Sequence, residues 1–409
     1  MRLQKTFSGN TPWDNQFFTD EQWQWARERS DDPSGSPGVR QNSNTGLWEY
    51  MGNRDWSRYF LSSTTFSQNH NVSVSGGKEN INYFISGSYN KDNGSLTLAE
   101  DYFTRTGMRS KLNAELTDWL SIGNNTSFII GKRINPSYFN ISTLYDFNSY
   151  DYAENPDGTW ANTAVGRMAA QLTDGGEEKY ETGTIRTNFT SEAWIVRDLL
   201  KVNGQFTHEQ ENQNYDAYYS KYRIGFAPDD IREEGENRVW KGFGQSKYDV
   251  FNIFATFTET FGEAHNLTLL GGYNQEEYRY EYTSVDRRDV ISNSLPTLEL
   301  ATGEMLGSQN IYSWAVNGLF YRLNYIYNDR YILEFNGRYD GSSRFPENDR
   351  YGFFPSVSAS WNISRESFME PLKPVVNLFK LRASYGTLGN QDVSPFGYIP
   401  SLVSNNGRY

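Results

Sequence analysis

In residues 331–339 the odd positions are Tyr, Leu, Phe, Gly and Tyr, and the even positions from Glu334 onward are Glu, Asn and Arg. In residues 353–363 the odd positions read Phe, Pro, Val, Ala, Trp and Ile, against Ser, Ser, Ser and Asn at the even positions after Phe354. A period of two sends successive side chains to opposite faces, so both segments read as strands with one apolar and one polar face. A hairpin of a soluble antiparallel sheet fits that pattern with its apolar face on a core. A membrane barrel fits it with the apolar face in lipid.

The lengths of the connections separate the two. Alternation begins near Gln68 and recurs in about a dozen strands. Tight turns are expected at 76–80, at Thr117-Asp118, at Arg197-Asp198, at Gly262-Glu263-Ala264 and at Tyr327-Asn328-Asp329. Between them fall a medium loop around Asp92-Asn93-Gly94, long loops reaching about Tyr180, Tyr248 and Tyr312, and the loop 340–350; the last clear strand is 379–385. One rim of the sheet thus carries short turns and the other long loops, the asymmetry of an antiparallel transmembrane β-barrel. The faces agree, since Lys or Arg on the lipid side costs about 2–4 kcal/mol at the midplane. The even positions of 102–116 (Tyr, Thr, Thr, Met, Ser, Leu, Ala, Leu) carry no charge. Trp119, Tyr325, Tyr331 and Trp361 fall near the tight turns, as interfacial aromatics should. Glu259 is an exception on an apolar face, close to a turn.

Residues 1–65 do not alternate. Thr19-Asp20-Glu21-Gln22 reads as a capping box opening a short helix through Trp23, Trp25 and Ala26 that ends before Asp32-Pro33, followed by a loop to Gly46. The expected division is an outer loop region with a short helix over 1–65, then the central part of a barrel over 66–409. A tight turn follows the strand at Val72, so the chain reaches that strand from the long-loop side. The first barrel strand would then precede Met1, and the chain would be an incomplete portion of about twelve strands.

Composition narrows the function. Mean hydropathy is −0.74, and no apolar run approaches the roughly 18–20 residues of a spanning helix. Met1 to Gly9 hold no apolar run of a signal peptide, so an exported form would carry its signal on a longer precursor. The absence of cysteine removes thiol chemistry and disulfides, and the net charge of −12 argues against a nucleic-acid partner. His70, His208 and His265 are far apart, and no phosphate loop, dinucleotide turn or Gly-x-Ser-x-Gly elbow occurs. The Asp229-Asp230 and Glu233-Glu234 pairs read as solvated loop charge. No enzyme, cofactor or metal site is expected. Trp160, Tyr218, Tyr219 and Tyr222, with Tyr215, Tyr278, Tyr280 and Tyr282 nearby, offer amphipathic rings on the long-loop rim. Such rings suit a sugar or peptide ligand, and they equally suit the packing of one loop on another.

The run Asp340-Gly341-Ser342-Ser343-Arg344-Phe345, followed by Arg350-Tyr351-Gly352-Phe353-Phe354-Pro355-Ser356, resembles the SusC/RagA family of TonB-dependent outer-membrane transporters. Three further stretches match in order: Lys380-Leu381-Arg382-Ala383-Ser384-Tyr385-Gly386 with Gly389-Asn390, Leu116-Thr117-Asp118-Trp119-Leu120, and Asp55-Trp56 ahead of Val72-Ser73-Val74-Ser75-Gly76-Gly77. The resemblance implies a 22-stranded barrel in the bacterial outer membrane, occluded by a plug. It implies import of oligosaccharide or peptide powered by the TonB complex, under a SusD-like surface lipoprotein. This chain shows no TonB box, plug or carboxypeptidase-like extension, so the resemblance implies barrel wall alone. The alternatives are the barrel of a siderophore or vitamin receptor and a soluble extracellular β-rich binding or adhesive protein.

Overall fold

The computed structural model describes residues 18–32, 34–393 and 397. The Met1 to Gly9 stretch, Pro33 and the end of the expected 66–409 region lie outside the described residues.

Twelve strands form one antiparallel sheet, each pairing with its neighbours in sequence. They are β1 (Ser67–Lys78), β2 (Ile81–Asn93), β3 (Tyr102–Thr117), β4 (Leu120–Pro136), β5 (Glu177–Val196) and β6 (Leu200–Tyr219). Then follow β7 (Arg238–Phe261), β8 (His265–Arg288), β9 (Met305–Tyr327), β10 (Tyr331–Ser342), β11 (Tyr351–Asn362) and β12 (Lys380–Gly386). β1 and β12 are the two edges. The tight turns have the backbone such hairpins need. Gly262 and Glu263 at one turn, and Asn328 and Asp329 at another, have φ between 51° and 63°, the left-handed pairs whose twist matches the flanking strands.

The register carries the two-residue code across the whole sheet. Leu333 pairs with Ala359 and Phe335 with Val357, while Glu334 pairs with Ser358 and Asn336 with Ser356. Apolar residues of one face are exposed (Phe335 43%, Met108 62%, Phe189 53%). On the other face polar side chains bond to one another: Arg322 and Glu334 to Asn336, Asn324 to Glu334, and Arg338 to Asp340 at 2.8 and 3.0 Å. A soluble sheet would cover its apolar face. This one satisfies its polar face internally and leaves the apolar face bare, as a sheet solvated by lipid requires. The polar face lines a concavity of about 1010 Å³ between β1 and β6, with Asn71, Arg105, Arg109, Asn188 and Gln205 on its wall. Tyr327, Tyr331 and Trp361 stack side by side on the bare face at the tight-turn rim, centroids 6.3 Å apart. Glu259 pairs with Leu267 three residues from the same rim.

Two expectations about the long loops need correction. β5 to β9 run far past the segments read as strands, which shrinks the expected loops to residues 220–237 and 289–304. The reason lies on the outer face. Along β7 it is apolar from Phe261 to Phe251 apart from Glu259 near the turn, a rise of about 25 Å for tilted strands, and then turns polar at Asp249 and Lys247. On β8 the outer positions past Tyr273 are Gln275, Glu277, Arg279 and Glu281. Strands wet on both faces lose the apolar alternation that marks them in sequence. The 137–176 connection also contains a helix, α3 (Ala164–Asp174), capped by Thr163, whose hydroxyl accepts from the Gly166 amide at 2.9 Å.

The long connections pack into rim cores of their own. α1 (Asp20–Asp31) carries the expected capping box between Thr19 and Gln22, and α2 (Ser57–Phe60) follows. Trp56 and Phe60 are buried with Ala153 and with Val165, Met168, Ala169 and Leu172 of α3.

Candidate functional site

Where β5 to β9 rise beyond the apolar band, their inner face turns aromatic. Tyr248, Tyr278 and Trp314 stand directly opposite one another on β7, β8 and β9. Their ring centroids lie 6.4 Å (Tyr248–Tyr278), 5.6 Å (Tyr278–Trp314, stacked) and 6.0 Å (Tyr248–Trp314) apart. One step further from the band Tyr280 meets Tyr312 at 5.2 Å, and nearer the strand ends Tyr215 meets Trp240 edge-on at 5.3 Å. Register holds these rings together, because every second residue of three paired strands faces the same way. Polar groups are set among them. The Tyr248 hydroxyl donates to Glu276 at 2.7 Å, and the Arg344 guanidinium lies 5.2 Å over the Trp314 ring. Flat rings edged by fixed donors and acceptors bind by stacking on an apolar face while hydrogen-bonding its rim.

The four rings singled out in sequence do not converge on that wall. Tyr222 is 5% exposed, packed with Ala170 and Ile224, and Trp160 packs on the same cluster. Tyr138 meets Tyr219 at 5.3 Å and Tyr222 at 5.8 Å, so two of the four meet at Tyr138, which packs on the same cluster as Trp160. Tyr219 faces inward and donates to Glu178 at 2.8 Å, with Arg238 4.5 Å over its ring. Tyr218, one residue away, faces outward against the cluster of Val239, Val290 and Ala301. Tyr215, Tyr278, Tyr280 and Tyr282, read as loop or loop-entry residues, are on strands. Tyr248, Tyr312 and Trp314 were not singled out, although Tyr278-x-Tyr280-x-Tyr282 and Tyr312-x-Trp314 carry the period-two signal that would have found the wall.

The motif residues occupy a second place on the inner side. Arg338, Asp340, Ser342, Phe345, Tyr351 and Asn390 line a cavity of about 410 Å³. Behind it, on the outer face, Gly341 packs under the Tyr351 ring, where a Cβ would sit 2.3 Å from the ring. Arg344 donates to the Val393 carbonyl at 2.8 Å, and Asn390 accepts from the Asp392 amide at 2.8 Å. On β12, Arg382 and Gly386 lie opposite Ser360 and Ser356, and Pro355 of β11 lies opposite Gly337.

Among the described residues, Asp151 is a buried carboxyl in the long-loop rim. Asp151 is pushed up to about 6 by burial, against hydrogen bonds from Asn148 that pull the other way. Arg167 of α3 grips Glu234 through Nε and Nη2 at 2.7 and 3.0 Å, tying the 137–176 connection to the 220–237 connection.

Comparison with known proteins places this architecture. Residues 130–407 match the family model described as TonB dependent receptor-like, beta-barrel. TonB-dependent receptor P3 of Formosa agariphila is 28% identical over 371 residues, covering 86% of this chain and 36% of that protein. TonB-dependent receptor SusC of Bacteroides thetaiotaomicron is 25% identical over 386 residues, covering 87% of this chain and 37% of that protein. The chain therefore spans little more than a third of the curated relatives it matches. Among solved structures, the RagAB peptide importer in its "open-open" state superposes with a TM-score of 0.75 at 18% identity, over 100% of this chain and 45% of that one, a likeness of fold.

Proposed function

Because the chain belongs to the TonB-dependent receptor β-barrel family, we propose that it forms the central barrel wall of an active outer-membrane nutrient importer of the SusC/RagA type. The family places it in the outer membrane as a transport barrel. The importer takes up oligosaccharide or peptide, draws energy from the TonB complex, and works beneath a SusD-like surface lipoprotein. The observation that carries the substrate reading is the inner wall of Tyr248, Tyr278 and Trp314 just above the apolar band, which supports a ligand held by ring stacking. Tyr219 extends the wall toward the rim, and Trp160, Tyr218 and Tyr222 shape the loops that enclose it. The peptide importer RagAB supports the peptide arm and SusC the comparison with a named relative.

The same proposal makes the chain a portion of a longer barrel. β1 and β12 each leave a row of backbone donors and acceptors unpaired, which hydrocarbon does not tolerate. In the complete wall each edge pairs with a further strand. The test is uptake by cells carrying the full-length transporter, fed labelled neutral oligosaccharides and oligopeptides, with and without functional TonB. Saturable uptake of one class that vanishes without TonB is expected. Uptake of both classes at equal, TonB-independent rates overturns the proposal.

A further inference from the structure

On the tight-turn rim, five connections of the large sheet are two or three residues long, but β11 and β12 are joined by residues 363–379. The segment begins with two short 3₁₀ turns, Ile363–Arg365 and Ser367–Leu372. Glu366, between them, accepts from the Tyr331 hydroxyl at 2.7 Å and from Trp361 Nε1 at 3.0 Å, and pairs with Arg330 at 3.2 Å. Tyr331 and Trp361 belong to the bare, apolar face, so Glu366 fastens the segment to the outside of the sheet. Beyond this clamp the segment shows a run of exposed apolar side chains: Phe368, Leu372, Val375 at 84% and Leu378 at 71%.

We propose that residues 363–379 form a lipid-contacting foot. It lies in the headgroup layer on the tight-turn side and inserts Phe368, Leu372, Val375 and Leu378 among the acyl chains of the adjoining phospholipid leaflet. Three observations name lipid as the occupant. The apolar run continues the lipid-facing belt at its aromatic border, through the Glu366 clamp. The backbone is turned on itself, with amides of Met369, Lys373, Val375 and Val376 donating to carbonyls of Glu366, Glu370 and Leu372, so few groups need water. Glu366, at the start of the segment, is neutralised locally by Arg330, and Glu370, within the apolar run, by Lys373. A short apolar insertion below paired charges and interfacial aromatics is how peripheral segments seat in a headgroup layer.

Residues 1–409 contain no cysteine, so single thiols placed here are read without background once any cysteine elsewhere in the full-length protein is replaced by serine. Val375→Cys and Leu378→Cys would be made in the full-length protein, nitroxide-labelled, and reconstituted in phosphatidylethanolamine/phosphatidylglycerol vesicles. Val357→Cys in the belt and Ser358→Cys on the inner face are the references, and heat-modifiable migration verifies assembly. Labels at 375 and 378 should collide with oxygen at least as often as the label at 357, and several-fold less often with a water-soluble nickel chelate than an exposed loop does. Strong nickel collisions would place the foot in water, and weak collisions with both reagents would place it under protein; either overturns the proposal. Phe368→Cys and Leu372→Cys supply the same reading should either variant fail to assemble.

Discussion

Phe335 of β10 lies directly opposite Val357 of β11, and one residue along, Glu334 lies opposite Ser358. The first pair is on the bare apolar face and the second on the hydrogen-bonded polar face, so neighbouring residues of one strand meet different solvents. Val357→Lys puts a charge into hydrocarbon at a cost of about 2–4 kcal/mol near the midplane. Ser358→Lys puts it on a polar wall beside Glu334. In the full-length transporter, the folded, heat-resistant band should weaken or disappear with the first change and persist with the second. Equal loss in both would contradict the assignment of faces.

Glu366 should matter to assembly out of proportion to its place in a turn. Glu366→Ala leaves the Tyr331 hydroxyl, Trp361 Nε1 and Arg330 without their acceptor. Losing the partner of a fully buried donor costs about 1–3 kcal/mol, and for these part-buried donors at the edge of the apolar face the loss should fall toward the lower end. The temperature at which heat-modifiable migration is lost should fall, and Glu366→Gln, which keeps an acceptor oxygen, should recover part of the difference. Identical behaviour of the alanine variant and the parent protein would remove the clamp from consideration.

The strands were legible where lipid dictates the code. From Tyr331 to Tyr339, and along the even positions of β3, one face must be apolar over the thickness of the bilayer, and that constraint writes itself into every second residue. Past Phe251 and Tyr273 the same strands stand in water on both sides; the apolar outer face that marks them in lipid ends there, the only alternation left is that of the inner aromatic rings, and they read as loops. α3 was illegible for a different reason. Its apolar face is buried by Trp56 and Phe60, more than a hundred residues earlier in the chain, and a pattern so short has no meaning until those partners are known. The wall of Tyr248, Tyr278 and Trp314 depends on the register of three strands, which no single segment reveals. Trp160 and Tyr222 gave the right residue type for a ligand site, but chemistry alone does not distinguish a ring on a wall from a ring within a loop core.

Asp151 gives the rim a pH dependence of definite sign. Its carboxyl is held near 6 in the folded loops, above the ordinary value of 3.8. Below about pH 4 both folded and unfolded loops keep the proton, and no difference arises. As pH rises toward 6 the unfolded loop ionises first, so folded packing loses stability, reaching a full cost of up to about 3 kcal/mol above that pH. Asp151→Asn should remove the dependence and raise protection of the rim at neutral pH. Hydrogen-exchange protection of α3 amides at pH 4.5 and 7.5, corrected for the intrinsic rate, is the measurement. A parent protein with better protected loops at the higher pH would reverse the sign and refute it.

The proposed division of labour among the aromatic rings separates loop packing from ligand contact. Tyr222 is enclosed with Ala170 and Ile224 and accepts a hydrogen bond from Gln171 at 2.9 Å, so Tyr222→Ala opens a cavity in the rim, at a cost of about 3–5 kcal/mol for an aromatic truncation. Trp160→Ala acts on the same cluster. Both should make the 137–176 and 220–237 connections sensitive to protease while the barrel band stays intact, and uptake should fall only as the loops fail. Tyr278→Ala and Trp314→Ala remove rings from an open wall, each contributing about 1 kcal/mol to a stacked ligand. They should weaken binding by roughly five-fold each, with protease resistance unchanged. Tyr219→Ala, on the inner side but braced by Glu178 and Arg238, should show a share of both effects. Unchanged affinity in the two wall variants, with the substrate class identified by uptake, would move the binding site away from this wall.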